Sequence, residues 1–207
     1  MLQMLLNGLI LGFVASPSCP SNAEEIRLGT RYHAGYALLV GVGAVTGDIV
    51  VLGAVLFGLV PLLTAYPVLK TTLWFVAAVV MAYVSWGIFK EARTAAWNLN
   101  DKTLSSTSYF RAFWVGFAIT TFNPFTALWW VGLLAPMLET QQGIVLFSLA
   151  IVLGSLIWFT LLAGILSFAR QWLTPAFRRW VLIASGLVVV GYAVYFLWQA
   201  VTEISSK

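Results

Sequence analysis

One ionisable residue, Asp48, lies well inside a long uncharged stretch of this 207-residue chain. On a helix it shares a face with Gly41 and Ala44, beside Gly43-x-x-x-Gly47, and a face of small residues packs inward. Burying a carboxylate in a membrane costs on the order of 3 kcal/mol, and such residues usually line an ion or substrate path. We therefore predict that Asp48 contacts a substrate and carries a coupling proton. A purely structural carboxylate is the alternative.

Prolines interrupt two of the apolar stretches. Pro17 and Pro20 lie at the end of the first stretch, and Asn123-Pro124 lies near the middle of the fourth. Proline lacks an N–H and its ring clashes with the carbonyl four residues back, so Pro124 should free the carbonyl of Thr120 and kink or break the helix. Half-helix ends carry opposite partial charges, so breaks at matching places in two halves predict a substrate site. The alternative is that these prolines merely kink membrane helices.

The elements that hold these residues are membrane helices. The chain is 61% apolar and 9% charged, whereas soluble domains are about 45–50% apolar and about 25% charged. The single Cys19 excludes a disulfide scaffold. The chain has a net charge of +4. Its basic residues lie between apolar stretches, where binding to lipid headgroups and membrane topology explain them better than binding to nucleic acid. The uncharged runs predict six transmembrane helices at 2–20, 36–60, 68–89, 112–137, 142–168 and 180–201.

The distribution of Lys and Arg predicts an orientation. The connections after the first, third and fifth predicted helices hold nine of these residues, and the opposite side holds Lys70 and Lys207. Short connections rich in Lys and Arg stay in the cytoplasm, so both termini are expected outside. We therefore expect a multi-pass protein of a prokaryotic plasma membrane.

An internal repeat relates the two halves. Residues 11–16 match residues 115–120 at an offset of 104, which also sets Pro20 on Pro124. At an offset of 107, Gly47-Asp48 can be set beside Gly154-Ser155. A unit of three helices crosses the membrane an odd number of times, so its second copy enters the membrane from the opposite face. We predict one transmembrane domain, 1–207, built as an inverted 3+3 repeat (about 1–92 and 108–204) with broken helices one and four and a cytoplasmic linker at about 90–111.

Three motifs together resemble the LysE/RhtB family of amino-acid exporters. They are the Pro-containing break that ends the first helix, Val45-Thr46-Gly47-Asp48-Ile49, and the Asn-Pro break. The resemblance covers nearly the whole chain. The family's Pro-Gly-Pro would lie over Ser18-Cys19-Pro20, where only the last position matches. The resemblance implies outward transport of an amino acid, in exchange for protons.

A zwitterion suits the predicted site. Its carboxylate can meet a half-helix end and the Asn123 amide, and its ammonium can meet Asp48 and freed carbonyls of the break. Asn22 and Glu25 either reach the cavity or belong to a cytoplasmic helix start with solvated charges, the reading we favour. The acidic residue similar in place to Trp129 in exporters of basic amino acids is absent, and so is the Lys that often follows Asn-Pro, replaced here by Phe125. The residues near the second break are expected to form an aromatic, apolar wall: Phe122, Phe125, Trp129 and Trp130. A neutral or hydrophobic amino acid or related small zwitterion is therefore favoured.

Other functions remain as alternatives. The same scaffold is similar to that of exporters of metal ions and other small solutes, although one membrane carboxylate and Cys19 make a poor metal cage. A non-transporting membrane scaffold would not need Asp48 or two broken helices. An enzyme is not expected, because the one histidine, His33, lies in a loop and no nucleophile or nucleotide motif is present. No metal and no cofactor are predicted.

The expected partners are the substrate, protons and membrane lipids, with no nucleic acid. Two glycine motifs, Gly8-x-x-x-Gly12 and Gly43-x-x-x-Gly47, serve either internal packing or a homodimer.

Overall fold

The computed structural model describes residues 1–58, 66–93, 108–138, 143–169, 172 and 174–205. Within these ranges the secondary structure is helical throughout. The chain forms α1 (Leu2–Ala15), a short 3₁₀ helix (Ser16–Ser18), α2 (Ser21–Arg31), α3 (Ala34–Leu56), α4 (Pro67–Arg93), α5 (Tyr109–Thr121), α6 (Pro124–Leu138), α7 (Ile144–Ala169) and α8 (Pro175–Ser205).

Helix lengths confirm an integral membrane architecture. Helices α3, α4, α7 and α8 each contain a segment long and apolar enough to cross a bilayer, and α1 with α2 forms a bent pair that qualifies as one broken span. The predicted helix at 112–137 is instead the two short helices α5 and α6, of 13 and 15 residues. The described residues therefore contain four spans, or five with the bent pair, and the count of six stays a prediction. The linker segment 94–107 lies outside the described residues.

Large apolar side chains face outward on the long helices. On α1 and α7 the exposed positions recur every four residues, which is one stripe along a helix. The inward faces of these helices include glycine, alanine and serine, and the apolar outward stripes are of the kind that faces lipid in a membrane protein. The exposed positions are Leu2, Leu6, Ile10 and Val14 on α1, and Val145, Leu149, Leu153, Ile157, Leu161 and Ile165 on α7.

Three helix pairs build the bundle: α1 with α7, α3 with α5, and α4 with α8. The α4–α8 pair encloses the main apolar core, whose largest buried members include Met81, Leu182 and Phe196. The short helix α2 packs among α3, α7, α8 and α5.

Glycines bring α1 and α7 into backbone contact. A Cβ on Gly12 would lie 2.0 Å from the carbonyl oxygen of Ile151, and one on Gly154 would lie 2.2 Å from that of Leu9. One turn earlier, a Cβ on Gly8 would meet the Phe147 carbonyl oxygen at 2.9 Å. No side chain larger than hydrogen fits at Gly12 or Gly154 unless the helices separate.

The same contact joins α3 and α5. A Cβ on Gly116 would lie 2.0 Å from the carbonyl oxygen of Val40, and one on Gly43 would lie 2.1 Å from that of Phe113. A Cβ on Gly47 would lie 2.9 Å from the Phe117 carbonyl oxygen. Both glycine motifs found in the sequence are therefore used for internal packing.

The two interfaces correspond residue by residue. The offset of 104 that relates the first and fourth predicted helices carries Leu9 to Phe113 and Gly12 to Gly116. An offset of 111 carries Val40 to Ile151 and Gly43 to Gly154. The contacts therefore pair Gly154 with Gly43, one helical turn away from the Gly47 that the sequence alignment set beside it.

Candidate functional site

The first break lies between α1 and α2, whose axes differ by 74°. Pro17 lies in the 3₁₀ helix and is exposed, whereas Pro20 precedes α2 and is buried. Between them, Cys19 has an extended backbone (φ −71°, ψ 131°). The two prolines and the extended residue end one helix and start the next, so the predicted break is present.

Asn22 closes this break with its side chain. Its Nδ2 donates to the carbonyl oxygens of Ser16 and Cys19, both at 2.7 Å, and of Pro17 at 3.2 Å. Its Oδ1 accepts a hydrogen bond from Trp158 Nε1 of α7 at 2.9 Å. Carbonyls released by a broken membrane helix need such partners. Asn22 thus lies at the predicted site, but its amide is engaged within the protein.

The second break lies between α5 and α6. Helix α5 ends at Thr121 and Pro124 is the first residue of α6. Asn123 is 4% exposed, and its Oδ1 accepts from the Phe125 backbone N–H at 3.0 Å. A side-chain oxygen that accepts from the second helical N–H is an N-cap. The predicted break at Asn123-Pro124 is therefore present, with Asn123 as the cap of α6.

One detail of that prediction is wrong. The carbonyl of Thr120 is not free, because the Asn123 N–H donates to it at 3.2 Å. A proline inside a helix would remove a hydrogen bond four residues back, but here the helix has already ended before Pro124. The hydroxyl of Thr120, by contrast, is buried without a hydrogen bond of normal geometry in the described part of the chain.

Asp48 lies on α3 beside the second break. Its Oδ1 accepts a hydrogen bond from the indole Nε1 of Trp130, on α6, at 3.2 Å. The preceding residue, Gly47, fits tightly against α5, since a Cβ there would lie 2.8 Å from Thr121 Oγ1. The carboxylate is therefore held where α3, α5 and α6 meet.

Cys19 joins the first break to the same place. Its thiol is 3.0 Å from the Ser21 hydroxyl and lies near Thr120 and Asp48. The structure thus brings Asp48, Thr120 and the Cys19-Pro20 segment together, and places Asn22 and Asn123 at the adjoining helix breaks. Pro17 faces outward and does not join them.

Aromatic rings surround the second break unequally. Trp130 is fully buried against Asp48, and Trp129 contacts it edge to face at 5.0 Å between ring centroids. Phe125 packs on Tyr195 of α8, whereas Phe122 is 41% exposed. Only part of the predicted aromatic wall therefore adjoins the carboxylate.

The expectation of solvated charges at the start of α2 is wrong. Glu24 is 2% exposed and forms a bidentate ion pair with Arg27, in which Arg27 Nε donates to Glu24 Oε2 at 2.8 Å. Glu25 is 0% exposed. Helix α2 is surrounded by other helices rather than lying on the surface, and the sequence alone does not show that enclosure.

Sequence reasoning missed the two tryptophans that bind the polar residues. Trp130 entered the prediction only as an apolar wall, and Trp158 was not considered. An indole N–H needs an acceptor when it is buried, and buried carbonyl or carboxylate oxygens in a membrane are scarce. That requirement is the signal that could have paired Trp130 with Asp48 and Trp158 with Asn22.

Other chemistry is not assembled in the described ranges. His33 caps α3, with Nδ1 accepting from the Gly35 N–H at 3.1 Å, and its Nε2 lies 2.9 Å from the Tyr109 hydroxyl. Within the residues described, no group of three His, Cys, Asp or Glu side chains is placed to hold a metal ion.

Comparison with known proteins gives consistent matches. The family model for LysE type translocators matches residues 13–200. The chain is 27% identical over 210 residues to "Putative amino acid efflux protein YcgF" of Bacillus subtilis (strain 168), covering 98% of this chain and 99% of the relative. It is 28% identical over 208 residues to arginine exporter protein ArgO of Serratia proteamaculans (strain 568), covering 96% and 98%. No solved structure matches.

Proposed function

The chain belongs to the LysE type translocator family, and we propose that it exports a small amino acid or related zwitterion across a prokaryotic plasma membrane in exchange for protons. Members of this family are transporters and not enzymes, so the task of the site is binding and release. The observation that carries the proposal is the position of Asp48, which binds Trp130 of α6 and lies beside both helix breaks.

The matching interfaces support an inverted repeat. In such a repeat, α1 corresponds to α5, and α3 corresponds to α7. The α1–α7 contact then corresponds to the α5–α3 contact, and the glycine contacts agree at both. The α4–α8 pair relates the third helix of each half to its counterpart. Two halves that pack by equivalent contacts can exchange conformations by rocking, which opens one site to each side in turn.

The substrate site of the proposal lies between the breaks. The N-terminus of α2 carries the helix's partial positive charge, and in the proposal this end attracts the substrate carboxylate through its field, since the Asn22 and Ala23 N–H groups already donate to the Cys19 and Pro20 carbonyls. The amide Nδ2 of Asn123 can donate to the same carboxylate while its Oδ1 caps α6. The substrate ammonium then binds Asp48, with Thr120 and the Cys19-Pro20 segment alongside.

Proton exchange follows from the same carboxylate. An ammonium group and a proton compete for Asp48, because either one neutralises a carboxylate that is costly to leave charged inside a membrane. If the carboxylate carries the ammonium in one direction and the proton in the other, the site crosses the membrane without a net buried charge. We place both termini outside, as the Lys and Arg distribution indicates.

The substrate class is proposed from the wall of the site. Trp130 lies against Asp48 and Trp129 packs on the Trp130 ring, and apolar rings beside the carboxylate suit a neutral or hydrophobic side chain. One of the two relatives is named an arginine exporter, so a cationic amino acid is the competing class. Rings would favour the neutral substrate by excluding water from its apolar side chain.

An efflux screen tests the proposal. Cells expressing the protein, the Asp48→Asn variant or an empty vector are loaded with mixed dipeptides, and the amino acids that appear outside are quantified over time. The wild-type cells should release one or a few neutral amino acids faster than both controls. Equal release from all three would contradict amino-acid export, and selective release of arginine or lysine would replace the neutral class with the cationic one.

A further inference from the structure

Glu25 is a buried carboxylate that the proposed site does not use. Its side chain is 0% exposed, and neither carboxylate oxygen has a hydrogen-bond partner within the described part of the chain. The neighbouring Glu24 is equally buried but is bound by Arg27 through two hydrogen bonds. Two adjacent carboxylates therefore share a short helix and differ in whether a cation compensates them.

The helical phase of α2 separates these two residues. At 100° per residue, Glu25 lies on the face that carries Ser21, Leu28 and Gly29, whereas Arg27 lies on the opposite side. Leu28 packs with Val40 of α3 in one core cluster, and the Gly29 position abuts Leu166 of α7 and Ala37 of α3. The Glu25 face of α2 is therefore directed into the bundle, toward α3 and α7.

The alignment of α2 alongside α3 places Glu25 closer than Asp48 to the turn that joins the two helices. The two helices run antiparallel, with Leu28 near Val40 at one level and Cys19, which precedes α2, near Asp48 at another. Counting between these levels sets Glu25 beside residues 41–43 of α3. That position is about one and a half helical turns from Asp48, on the side of the α2–α3 turn.

The titratable groups on the surrounding elements are few. Asp48 and Tyr36 lie on α3, Tyr192 on α8 binds the Ser18 carbonyl, and the Cys19 thiol lies in the break. Helix α7 has no titratable side chain, and on α5 those of Tyr109 and Arg111 are exposed at its start. On α2 itself, Glu24 and Arg27 bind each other on the far face, and Arg31 and His33 lie near its end.

An enclosed carboxylate without a partner is stable only as the neutral acid, because an isolated buried charge is far more costly than a protonated carboxyl. Both oxygens of Glu25 are shielded from solvent, so the ligand that this position accommodates is a proton rather than a substrate group. From this geometry we infer that Glu25 is a second proton-binding carboxylate of the translocator, which takes part in proton coupling with Asp48.

This inference rests on the proposed proton exchange and extends it. Ser21 lies one turn before Glu25 on the same face of α2, and its hydroxyl is 3.0 Å from the Cys19 thiol, which lies near Thr120 and Asp48. The two hydroxyls and the thiol can all donate and accept a proton. When the substrate ammonium has left Asp48, the protonated Glu25 can pass its proton to Asp48, and a proton from water then returns to Glu25. One proton moves from one carboxylate to the other, and Glu25 ends as the neutral acid again.

Infrared spectroscopy of the purified protein tests the protonation directly. Wild type at neutral pH should show the C=O band of a protonated carboxylic acid. Because the proposal also protonates Asp48 in the absence of substrate, the two carboxyls are separated by mutation: the band should weaken in Glu25→Gln, persist in Asp48→Asn and disappear in the double variant Glu25→Gln/Asp48→Asn. Glu24→Gln is the matched control, and it should keep the band while losing thermal stability through the broken ion pair. A spectrum unchanged by Glu25→Gln would overturn the inference.

Reconstituted vesicles test the coupling. Glu25→Gln should retain exchange of labelled for unlabelled amino acid but lose transport driven by a pH gradient, whereas Glu24→Gln should retain both. Glu25→Asp, which keeps the carboxyl group, should restore part of the gradient-driven transport. Gradient-driven transport at the wild-type level in Glu25→Gln would contradict a coupling role. If wild-type vesicles moved no protons in exchange for the amino acid, the proposed function would be contradicted instead. The infrared result would still decide whether Glu25 binds a proton.

Discussion

The two helix breaks use an asparagine in opposite ways. At the first break Asn22 follows the prolines, and its Nδ2 donates to carbonyls of the helix that is ending. At the second break Asn123 precedes Pro124, and its Oδ1 accepts from the N–H of the helix that is starting. One break is therefore stabilised at its carbonyl end and the other at its amide end.

The breaks also differ in how far they are tied to the rest of the molecule. Asn22 accepts a hydrogen bond from Trp158 on α7, which joins the first break to a distant part of the chain. Within the described part of the chain, the hydrogen bonds of Asn123 join it only to near neighbours in sequence. The asparagine of the first break is thus held by a tertiary hydrogen bond, and that of the second by local ones. In the proposed site, the first break would form the more fixed wall and the second the more adjustable one.

Asp48 lies between these two walls, so its charge should have the largest effect. Asp48→Asn keeps the size of the side chain and an oxygen that can accept from Trp130, but it removes the negative charge. We expect efflux to fall to the level of the empty vector, because neither an ammonium nor a proton is then held. The measurement is amino-acid release from loaded cells, with expression matched by immunoblot.

Stability separates a charge effect from a folding defect. A neutral amide costs less to bury than a carboxylate, so purified Asp48→Asn should unfold in detergent at or above the wild-type temperature. Transport at the wild-type rate in a stable Asp48→Asn protein would show that the carboxylate is structural.

If the two halves pack by equivalent contacts, equivalent substitutions in them should lower stability by similar amounts. Gly12→Ala and Gly116→Ala would each place a Cβ 2.0 Å from a backbone carbonyl oxygen, that of Ile151 and that of Val40 respectively. Backbone cannot rotate away as a side chain can, so each change should cost about 3 kcal/mol in the free energy of unfolding. Thermal unfolding in detergent should show losses of similar size for the two variants.

Gly53 and Gly164 supply matched controls on α3 and α7. A Cβ at either position would meet no atom within 4 Å. Alanine there should leave stability unchanged or raise it by up to about 1 kcal/mol, since glycine disfavours a helix. A large loss at Gly12 with no loss at Gly116 would break the proposed equivalence of the two interfaces.

The sequence predicts these features unequally, for physical reasons. Apolar runs reveal spans, and proline reveals a break, because both act on the local backbone. The partner of Asp48 could not be predicted, since Trp130 lies 82 positions away and only packing joins them. The contacts favour a repeat offset for α3 that is one turn away from the one the sequence suggests, because several small residues on the helix offer similar matches and only the contact with Leu9 or Phe113 separates them.

The charges of α2 show a second kind of limit. A segment with Glu24, Glu25 and Arg27 has the composition of a solvated helix, yet the bundle encloses it. Burial is possible because Glu24 and Arg27 neutralise each other across a single turn. When charged residues pair within one segment, a prediction based on the number of charges therefore places a buried helix on the surface.

Alanine at each asparagine measures how the two breaks differ. Asn22→Ala removes a donor shared by three carbonyls and leaves the Trp158 N–H without its acceptor, so it should cost about 2–3 kcal/mol. Asn123→Ala removes one N-cap hydrogen bond and should cost about 1 kcal/mol. Unfolding in detergent measures both. Equal losses would contradict the distinction between a tertiary and a local break.

The smallest effect is expected at Pro124. Considered from sequence alone, Pro124→Ala should let a continuous helix form and raise its stability by up to about 3 kcal/mol. The structure changes that expectation, because Pro124 is the first residue of α6, where its missing N–H would have had no helical partner. Alanine also fits this position, and Asn123 still caps the helix.

We therefore expect Pro124→Ala to change the free energy of unfolding by less than about 1 kcal/mol and to leave efflux close to wild type. The double variant Asn123→Ala/Pro124→Ala removes both the cap and the ring, so that α5 and α6 can join into one helix and close the space beside Asp48. Efflux should then fall much further than the two single changes together predict, because the coupling between neighbours is not additive. If Pro124→Ala alone abolished efflux in a stable protein, the proline ring rather than the Asn123 cap would maintain the second break, and that break would be less adjustable than its hydrogen bonds indicate.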